Sequence, residues 1–148
     1  MIRPYKQSDF EVVENLYNLS KADEFVGEEF DMQVIPLSKD QRMLDLFHSS
    51  EIFIYERDEV GGFVGIKGSS IVWLFVHPNC RGQTIGRELV IYALRKLKGQ
   101  VTLTVAGSNE IAVSLYKSIG FSVLQESIGS YQGHSVIVYK MGIHLGDG

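Results

Sequence analysis

Apolar residues recur along this chain at two spacings, and the change from one to the other divides the sequence into helices and strands. Continuous or alternating apolar runs bounded by turn residues predict strands at 2–5, 52–55, 63–66, 71–76, 101–105, 121–125 and 135–141. Apolar positions three and four residues apart predict helices beginning near 8 and 38, and further helices around 89–97 and 109–119. The predicted order is a strand, two helices, three strands, a helix, a strand, a helix and two strands.

Polar residues mark the ends of these elements. Ser8 to Glu11 and Ser38 to Gln41 each read as a capping box, so we expect Ser8 and Ser38 to begin the first two helices. Ser108 or Asn109 can cap the last helix, which should end at Gly120. After the final strand, residues 142–148 are expected to form a loose tail.

The loop between the fourth strand and the third helix has the composition of an anion site. A helix N-terminus presents unpaired N–H groups and the positive end of the helix dipole, which together bind phosphate. Gly82 and Gly86 allow the backbone to approach a ligand closely, and Arg81 and Arg87 add positive charge. Neither G-x-G-x-x-G nor G-x-x-x-x-G-K-[ST] occurs in the chain. A pyrophosphate group is the expected ligand.

The spacing V-x-P-x-x-R-G-x-x-x-G over residues 76–86 resembles the coenzyme A loop of the GNAT superfamily of N-acetyltransferases, R/Q-x-x-G-x-G/A. Arg81 and Gly86 match its fixed positions. Its variable positions are filled by Gly82, Gln83 and Ile85. Thr84 departs from the pattern, because it stands where the family usually has its first glycine. Since a β-branched residue resists positive φ, we expect Thr84 to adopt a helical or extended backbone.

A second motif strengthens the resemblance. Residues 109–121 resemble the family's N-x-x-A-x-x-L/F-Y-x-x-x-G-F signature at every fixed position. Together the two motifs imply an acetyl-CoA-dependent N-acetyltransferase that transfers acetyl to a primary amine by direct attack. They also imply an α/β fold, in which about four helices flank a mixed, mostly antiparallel seven-stranded sheet whose fourth and fifth strands splay apart.

The resemblance assigns expected roles to residues at the matching positions. The free backbone edge at Leu74, Phe75 and Val76 would bond the pantetheine arm, and an N–H near Val76 would stabilise the oxyanion. Asn109 would contact the cofactor arm, although its simpler role is an N-cap. Tyr116 would protonate the departing thiolate, although the bare pattern fits core packing. The pyrophosphate would lie on Arg81, Gly82, Gln83, Thr84, Ile85, Gly86 and Arg87.

The general base and the acceptor are less constrained. Val72 and Trp73 stand where many family members carry a glutamate. The candidates for the base are a water chain or one of Glu28, Glu29, Glu56, His77 and His134. The acidic segment 23–31, with interleaved aromatics, lies where the family builds the acceptor wall, so Glu28 and Glu29 are candidate acceptor contacts. The negative charge of this segment favours a cationic acceptor such as a polyamine, an amino sugar or a peptide amino terminus. The alternative is that the segment is simply a solvated acidic loop.

Composition narrows the alternatives. The 148 residues predict one domain over 1–148, and the net charge of −4 argues against a nucleic-acid partner. The absence of a long apolar run or signal-like N-terminus favours a cytoplasmic protein, either monomer or homodimer. Cys80 is the only cysteine, which excludes an internal disulfide and a multi-cysteine metal site; no metal is expected. A non-catalytic acyl-CoA-binding module and an acetyltransferase acting on a partner chain stay open.

Overall fold

The structure is a computed structural model that describes residues 1–21, 27–30, 33–80 and 84–146. In chain order its elements are β1 (Ile2–Pro4), α1 (Phe10–Ser20), α2 (Gln41–His48), β2 (Glu51–Arg57), β3 (Glu59–Lys67), β4 (Ser70–Val76), α3 (Ile85–Arg95), β5 (Gln100–Ala106), α4 (Glu110–Ile119), β6 (Ser122–Tyr131) and β7 (His134–His144). The order predicted from the apolar pattern is confirmed. In the described ranges, no helix is long and apolar enough to cross a membrane.

A single seven-stranded sheet organises the molecule, with strand order β1-β2-β3-β4-β5-β7-β6. All neighbours pair antiparallel except β4 and β5, which are parallel. These two fully described strands share one paired position, Ser70 with Thr102, where the side-chain hydroxyls also lie 3.0 Å apart. Beyond this point they diverge. The predicted splayed α/β sheet is therefore confirmed.

Helices cover both faces of the sheet because each face presents a separate apolar cluster. On one face α3 and α4 bury a cluster that includes Leu89, Val90 and Val113. On the other face α1 and α2 bury an aromatic cluster around Trp73, in which Tyr17 and Phe47 contact its ring. Burial of these side chains is the main driving force that holds the helices to the sheet.

The helix starts differ from the two predicted capping boxes. Asp40, not Ser38, caps α2: its Oδ1 accepts a hydrogen bond from the Met43 N–H at 3.2 Å. The first helix begins at Phe10 after a short turn of 3₁₀ helix, in which the Asp9 carboxylate accepts from the Lys6 N–H at 2.8 Å. Both predictions at serine were wrong. Asp40 makes the capping bond at α2, whereas Asp9, at the boundary of α1, bonds back to the Lys6 N–H and makes no side-chain bond into the helix.

The C-terminal prediction also needs correction. β7 continues past Met141 to His144, and Gly142 pairs with both Thr102 and Ser122. Farther on, Leu145 donates its N–H to Gly99 O, and Gly146 O accepts from the Gly99 N–H. Residues 142–146 thus form the end of β7, which lies between β5 and β6, and a bonded extension beyond it rather than a loose tail. Residues 147–148 of the predicted tail lie outside the described residues.

Candidate functional site

The divergence of β4 and β5 creates a cleft of about 310 Å³ in the middle of the sheet. Its walls are β4 residues 71–75 and β5 residues 103–106, closed by α4 on one side and by the β6–β7 hairpin on the other. The lining is mostly apolar. Its polar side chains include Asn109, Tyr116, Ser130 and Tyr131. A cleft of this kind can take an extended apolar arm with a few amide groups.

The edge of β4 offers backbone groups to this cleft at alternate residues. The His77 N–H donates to Gly61 O at 2.8 Å, so these two residues form a hydrogen-bonded pair between antiparallel strands. Hydrogen-bonded pairs recur at every second residue, so the β4 residues two and four positions before His77 are also bonded to β3. Phe75, which pairs with Phe63, is the first of them. Leu74 and Val76 lie between these positions and direct their N–H and C=O groups to the β5 side. Of the three predicted edge residues, these two therefore have backbone groups that can bond a ligand in the cleft.

α4 brings Asn109 and Tyr116 to the cleft wall. Asn109 is the N-cap of α4, and its Oδ1 accepts from the Ala112 N–H at 3.3 Å. Tyr116 lies two turns later, is 7% exposed, and packs its ring against Phe121. Both side chains line the cleft. Asn109 thus fills the simpler capping role and also lines the cleft, while its contact with the cofactor stays a prediction.

The predicted anion loop is described only from Thr84 onward; Arg81, Gly82 and Gln83 lie outside the described residues. Thr84 precedes α3 with φ +42° and ψ 3°, a left-handed backbone. The expectation of a helical or extended Thr84 was wrong. The chain requires a left-handed residue at this helix start, and the surrounding fold imposes that conformation on a β-branched side chain.

The first turn of α3 carries the remaining predicted loop residues. Ile85, Gly86 and Arg87 are the first helical residues, and the first intrahelical donor is the Glu88 N–H, which bonds Thr84 O at 3.0 Å. A helix leaves the amides before that donor available for an anion. Gly86 lies near α4, because a Cβ there would come 3.3 Å from Leu115. The Arg87 guanidinium donates to Ser118 Oγ at 2.6 Å.

The segment before α2 packs on the β6–β7 turn, next to Ser130 and Tyr131, which line the cleft; we call this end of the cleft its entrance. Phe30 stacks on His134 with ring centroids 4.0 Å apart and planes 4° apart. Gln33 exchanges two hydrogen bonds with the Gln132 side chain, at 3.1 and 2.6 Å. These contacts hold the segment on the β6–β7 turn. Glu28, half-buried, and Glu29, exposed, immediately precede Phe30 in the chain, and neither is among the residues that line the cleft. Their contact with an acceptor stays a prediction.

Two residues at the end of α1 reach the same region and were missed by the sequence analysis. Ser20 Oγ donates to Val76 O at 3.3 Å, at the wide end of the gap. Lys21 is 7% exposed, and its Nζ lies 6.0 Å from the Phe75 ring centroid and 5.7 Å from that of Tyr131. A signal was present, since Lys21 follows Tyr17 by four residues, on the buried face of the helix.

The other candidate bases lie in separate places. Glu56 accepts from Arg3 Nε at 2.8 Å on the far strand β2. His77 lines a small cavity beside Cys80 and Glu59, and its Nδ1 accepts from the Asn79 N–H. His134 is stacked on Phe30 near the entrance. In the described part of the chain, the residues that line the cleft include no carboxylate and no imidazole.

The fold and this cleft define a class of protein. Its α/β sheet opens between two parallel strands, β4 and β5, and the N-terminus of a helix, α3, lies beyond the end of β4. The model of the Acetyltransferase (GNAT) family matches residues 13–121 of the chain. The chain belongs to the GNAT acetyltransferase family, as the two sequence motifs predicted.

Named relatives agree with this assignment. The peptidyl-lysine N-acetyltransferase YjaB of Escherichia coli is 38% identical over 76 residues, a match that covers 51% of this chain and 51% of that protein. The chain thus spans about half the length of the curated relative it matches.

Solved structures share the fold along the whole chain. The protein smu.2055 of Streptococcus mutans superposes with a TM-score of 0.78 at 23% identity, covering 97% of this chain and 98% of that one. The acetyltransferase yncA of Salmonella typhimurium, solved with its cofactor acetyl-CoA, gives a TM-score of 0.72 at 19% identity, covering 100% and 95%. At these identities the similarity concerns the fold.

Proposed function

We propose that this chain transfers the acetyl group of acetyl-CoA to a primary amine by direct attack of the amine on the thioester. The observation that carries the proposal is the cleft between β4 and β5, into which Leu74 and Val76 direct backbone groups while Asn109 and Tyr116 line its wall. Unpaired strand-edge amides bind the amides of an extended arm in the same way that they bind a further strand. The pyrophosphate would lie at the N-terminus of α3, with Arg81 to Arg87 around it.

The proposed reaction gives these groups the following roles. The neutral amine attacks the thioester carbon, a C–N bond forms, and the oxyanion accepts from a backbone N–H near Val76. The C–S bond then breaks, and Tyr116 gives its hydroxyl proton to the departing thiolate. The attacking nitrogen loses its proton to water or to a carboxylate, for which Glu28 and Glu29 are candidates.

The acceptor would be a small cationic molecule or a peptide amine. The negative charges of Glu28 and Glu29 support a cationic acceptor, because they would attract it electrostatically. The name of the Escherichia coli relative YjaB adds a lysine side chain of a protein as a second candidate acceptor. The left-handed Thr84 supports cofactor binding at this loop, because the backbone there already has the conformation that a glycine would supply.

Thermal unfolding and turnover together test the proposal. Acetyl-CoA that binds only the folded chain must raise the unfolding temperature. Gly86→Glu should abolish this shift, because it adds a negative charge to the first turn of α3, where the pyrophosphate is proposed to bind. Tyr116→Phe should keep the shift and lower turnover about tenfold or more. Tyr92→Phe is a matched control, since its ring packs on Phe53 away from the cleft. Absence of any shift with wild type, or full turnover in Tyr116→Phe, would contradict the proposal.

A further inference from the structure

The last hairpin of the sheet exposes almost the whole of one strand. β6 lies at the end of the strand order, with β7 as its neighbour. Its residues from Ser122 to Ile128 are all exposed, whichever face of the strand they lie on. β6 contains neither proline nor lysine, the residues that commonly protect a sheet edge from pairing, and Glu126 is its single charged residue. Such an edge can accept a further strand.

The hydrogen-bond pattern shows which backbone groups of β6 face outward. Ile137 O accepts from the Gly107 N–H at 2.9 Å, so Ile137 directs its backbone groups to the β5 side of β7. Ile128 lies opposite Ile137, so it belongs to a pair without mutual hydrogen bonds and directs its own N–H and C=O outward. The pairing with β7 is regular after a bulge near the start of β6, so Glu126 and Ser130 do the same. In the described part of the chain, these outward groups have no hydrogen-bond partner.

Exposed apolar side chains lie beside these groups. Ile128 is 78% exposed, and Ile137, directly opposite it, is 50% exposed. Directly opposed residues share one face of a sheet, with Cβ atoms about 4.5–5.5 Å apart, so the two isoleucines form an apolar strip that reaches the outer edge of β6. Single exposed isoleucines are common on protein surfaces. A strip that ends at an unpaired strand edge is instead the kind of surface that an added strand covers.

We propose that two copies of this chain pair through β6, antiparallel, with Ile128 opposite Ile128 of the partner subunit. In this register Glu126 lies opposite Ser130 of the partner subunit, so the outward groups of all three residues form hydrogen-bonded pairs. The apolar strip continues across the interface as a row of four isoleucines, which the pairing removes from water. A two-fold axis at Ile128 produces this contact, because the strand edge is complementary to itself.

Charge favours this register over a shifted one. A register that sets Glu126 opposite Glu126 of the partner subunit would oppose two like charges, which destabilises a strand pair. The register centred on Ile128 instead sets each carboxylate opposite a serine, whose hydroxyl can donate to it. Ser130 also lines the cleft. The partner strand therefore lies directly beside the β6 wall of the cleft.

Sedimentation velocity over a concentration series tests the interface. The wild-type chain should shift from the mass of one chain towards that of two as the concentration rises. Ile128→Glu should lose the dimer, because it opposes two carboxylates across the axis and removes the central apolar contact. Ile111→Glu is the matched control, since Ile111 is 81% exposed but lies on α4. Both side chains are exposed, so neither substitution should disturb folding.

Disulfide formation between copies tests the register. Residues of a hydrogen-bonded antiparallel pair have Cα atoms about 5.5 Å apart, which is within disulfide range. Cys80→Ser removes the single native cysteine. In that background, Ile128→Cys should give a covalent dimer on copper-catalysed oxidation by air. Ser127→Cys is the matched control and should cross-link far more slowly, because its side chain lies on the other face of the strand and is not opposite its own counterpart.

Three results would overturn this proposal. The first is a wild-type chain that stays monomeric at every concentration. The second is a dimer that survives Ile128→Glu, because the copies would then meet at another surface. The third is cross-linking at equal rates in the two cysteine variants, which would mean a different register. These measurements do not involve acetyl transfer, so the proposed function stands or falls separately.

Discussion

At the scale of single residues, local chemistry and tertiary context compete, and Thr84 shows which one prevails. A β-branched side chain at positive φ is a rare conformation, yet Thr84 has φ +42° just before α3. The strain is tolerated because the β4 end and the start of α3 fix where the chain must turn. The sequence located the anomaly correctly at the family's glycine position, but predicted the wrong backbone.

Thr84→Gly should relieve this strain. A left-handed non-glycine residue costs about 1–3 kcal/mol, and the greater unfolded-state entropy of glycine returns about 0.4–1 kcal/mol of that. We expect the free energy of unfolding to rise by about 1 kcal/mol in chemical denaturation. Thr84→Val, which removes the hydroxyl but keeps the branch, is the control. A decrease in stability for the glycine variant would show that the threonine side chain makes stabilising contacts that outweigh the strain.

Asp9 should contribute a measurable acid sensitivity. Hydrogen bonds from the Arg3 guanidinium, at 2.9 Å to both carboxylate oxygens, hold the pKa of Asp9 below its ordinary value of 3.8, against desolvation, which acts in the opposite direction. Because the folded pKa is depressed, the contribution to stability is present above the unfolded pKa and is lost as the pH falls through the folded one.

Asp9→Asn should therefore lower the unfolding temperature at neutral pH, and the difference from wild type should shrink as the pH is taken below about 4, the range of an unperturbed aspartate. Unfolding followed by circular dichroism over a pH series measures this. Asp45→Asn is the matched control, because that carboxylate accepts from the neutral Gln41 amide. A difference that is constant with pH would mean that Asp9 acts by helix capping rather than through its charge.

At the scale of elements, the divergence of β4 from β5 creates the cleft and so decides where a ligand can bind. Its apolar run was predicted from the sequence, but the exposed edge depends on where β4 stops pairing with β5. That point is Ser70 with Thr102, a tertiary contact between residues 32 positions apart. No local pattern in the strand distinguishes Leu74 and Val76, whose backbone groups face the gap, from Phe75, whose groups face β3.

Amide hydrogen exchange can test this alternation. The N–H groups of Leu74 and Val76 should exchange quickly in the free chain and become protected when acetyl-CoA bonds the strand edge, whereas the Phe75 N–H, already bonded to β3, should be protected in both states. Residue-resolved exchange by NMR, with and without acetyl-CoA, provides the measurement. Strong protection of all three amides without ligand would mean that β4 and β5 close in solution.

At the scale of the whole molecule, the cleft entrance joins segments that are far apart in sequence. Phe30 meets His134, and Gln33 meets Gln132, across 99 residues in the second case. The acidic pair was predicted near the acceptor from family resemblance, but the sequence could not identify the hairpin on which the neighbouring Phe30 and Gln33 pack.

Gln132→Ala should loosen the entrance without disturbing the cofactor site. The substitution removes both hydrogen bonds to the Gln33 backbone, so the segment carrying Glu28 and Glu29 should be less well held. We expect the KM for the acceptor to rise several-fold, with the affinity for acetyl-CoA unchanged. Gln125→Ala, on the exposed face of β6, is the control. An equal loss in cofactor affinity would place Gln132 in the structural support of the cleft instead.

By itself, the sequence determined the order of elements, the family and the positions of the motif residues, because apolar periodicity, helix capping and motif spacing act over short stretches of chain. The tertiary structure decided which backbone groups of β4 face the cleft, the left-handed turn at Thr84, the extension of β7 to His144, and the burial of Lys21 among three rings. Each of these depends on contacts between distant segments, whose geometry is fixed only when both faces of the sheet are packed.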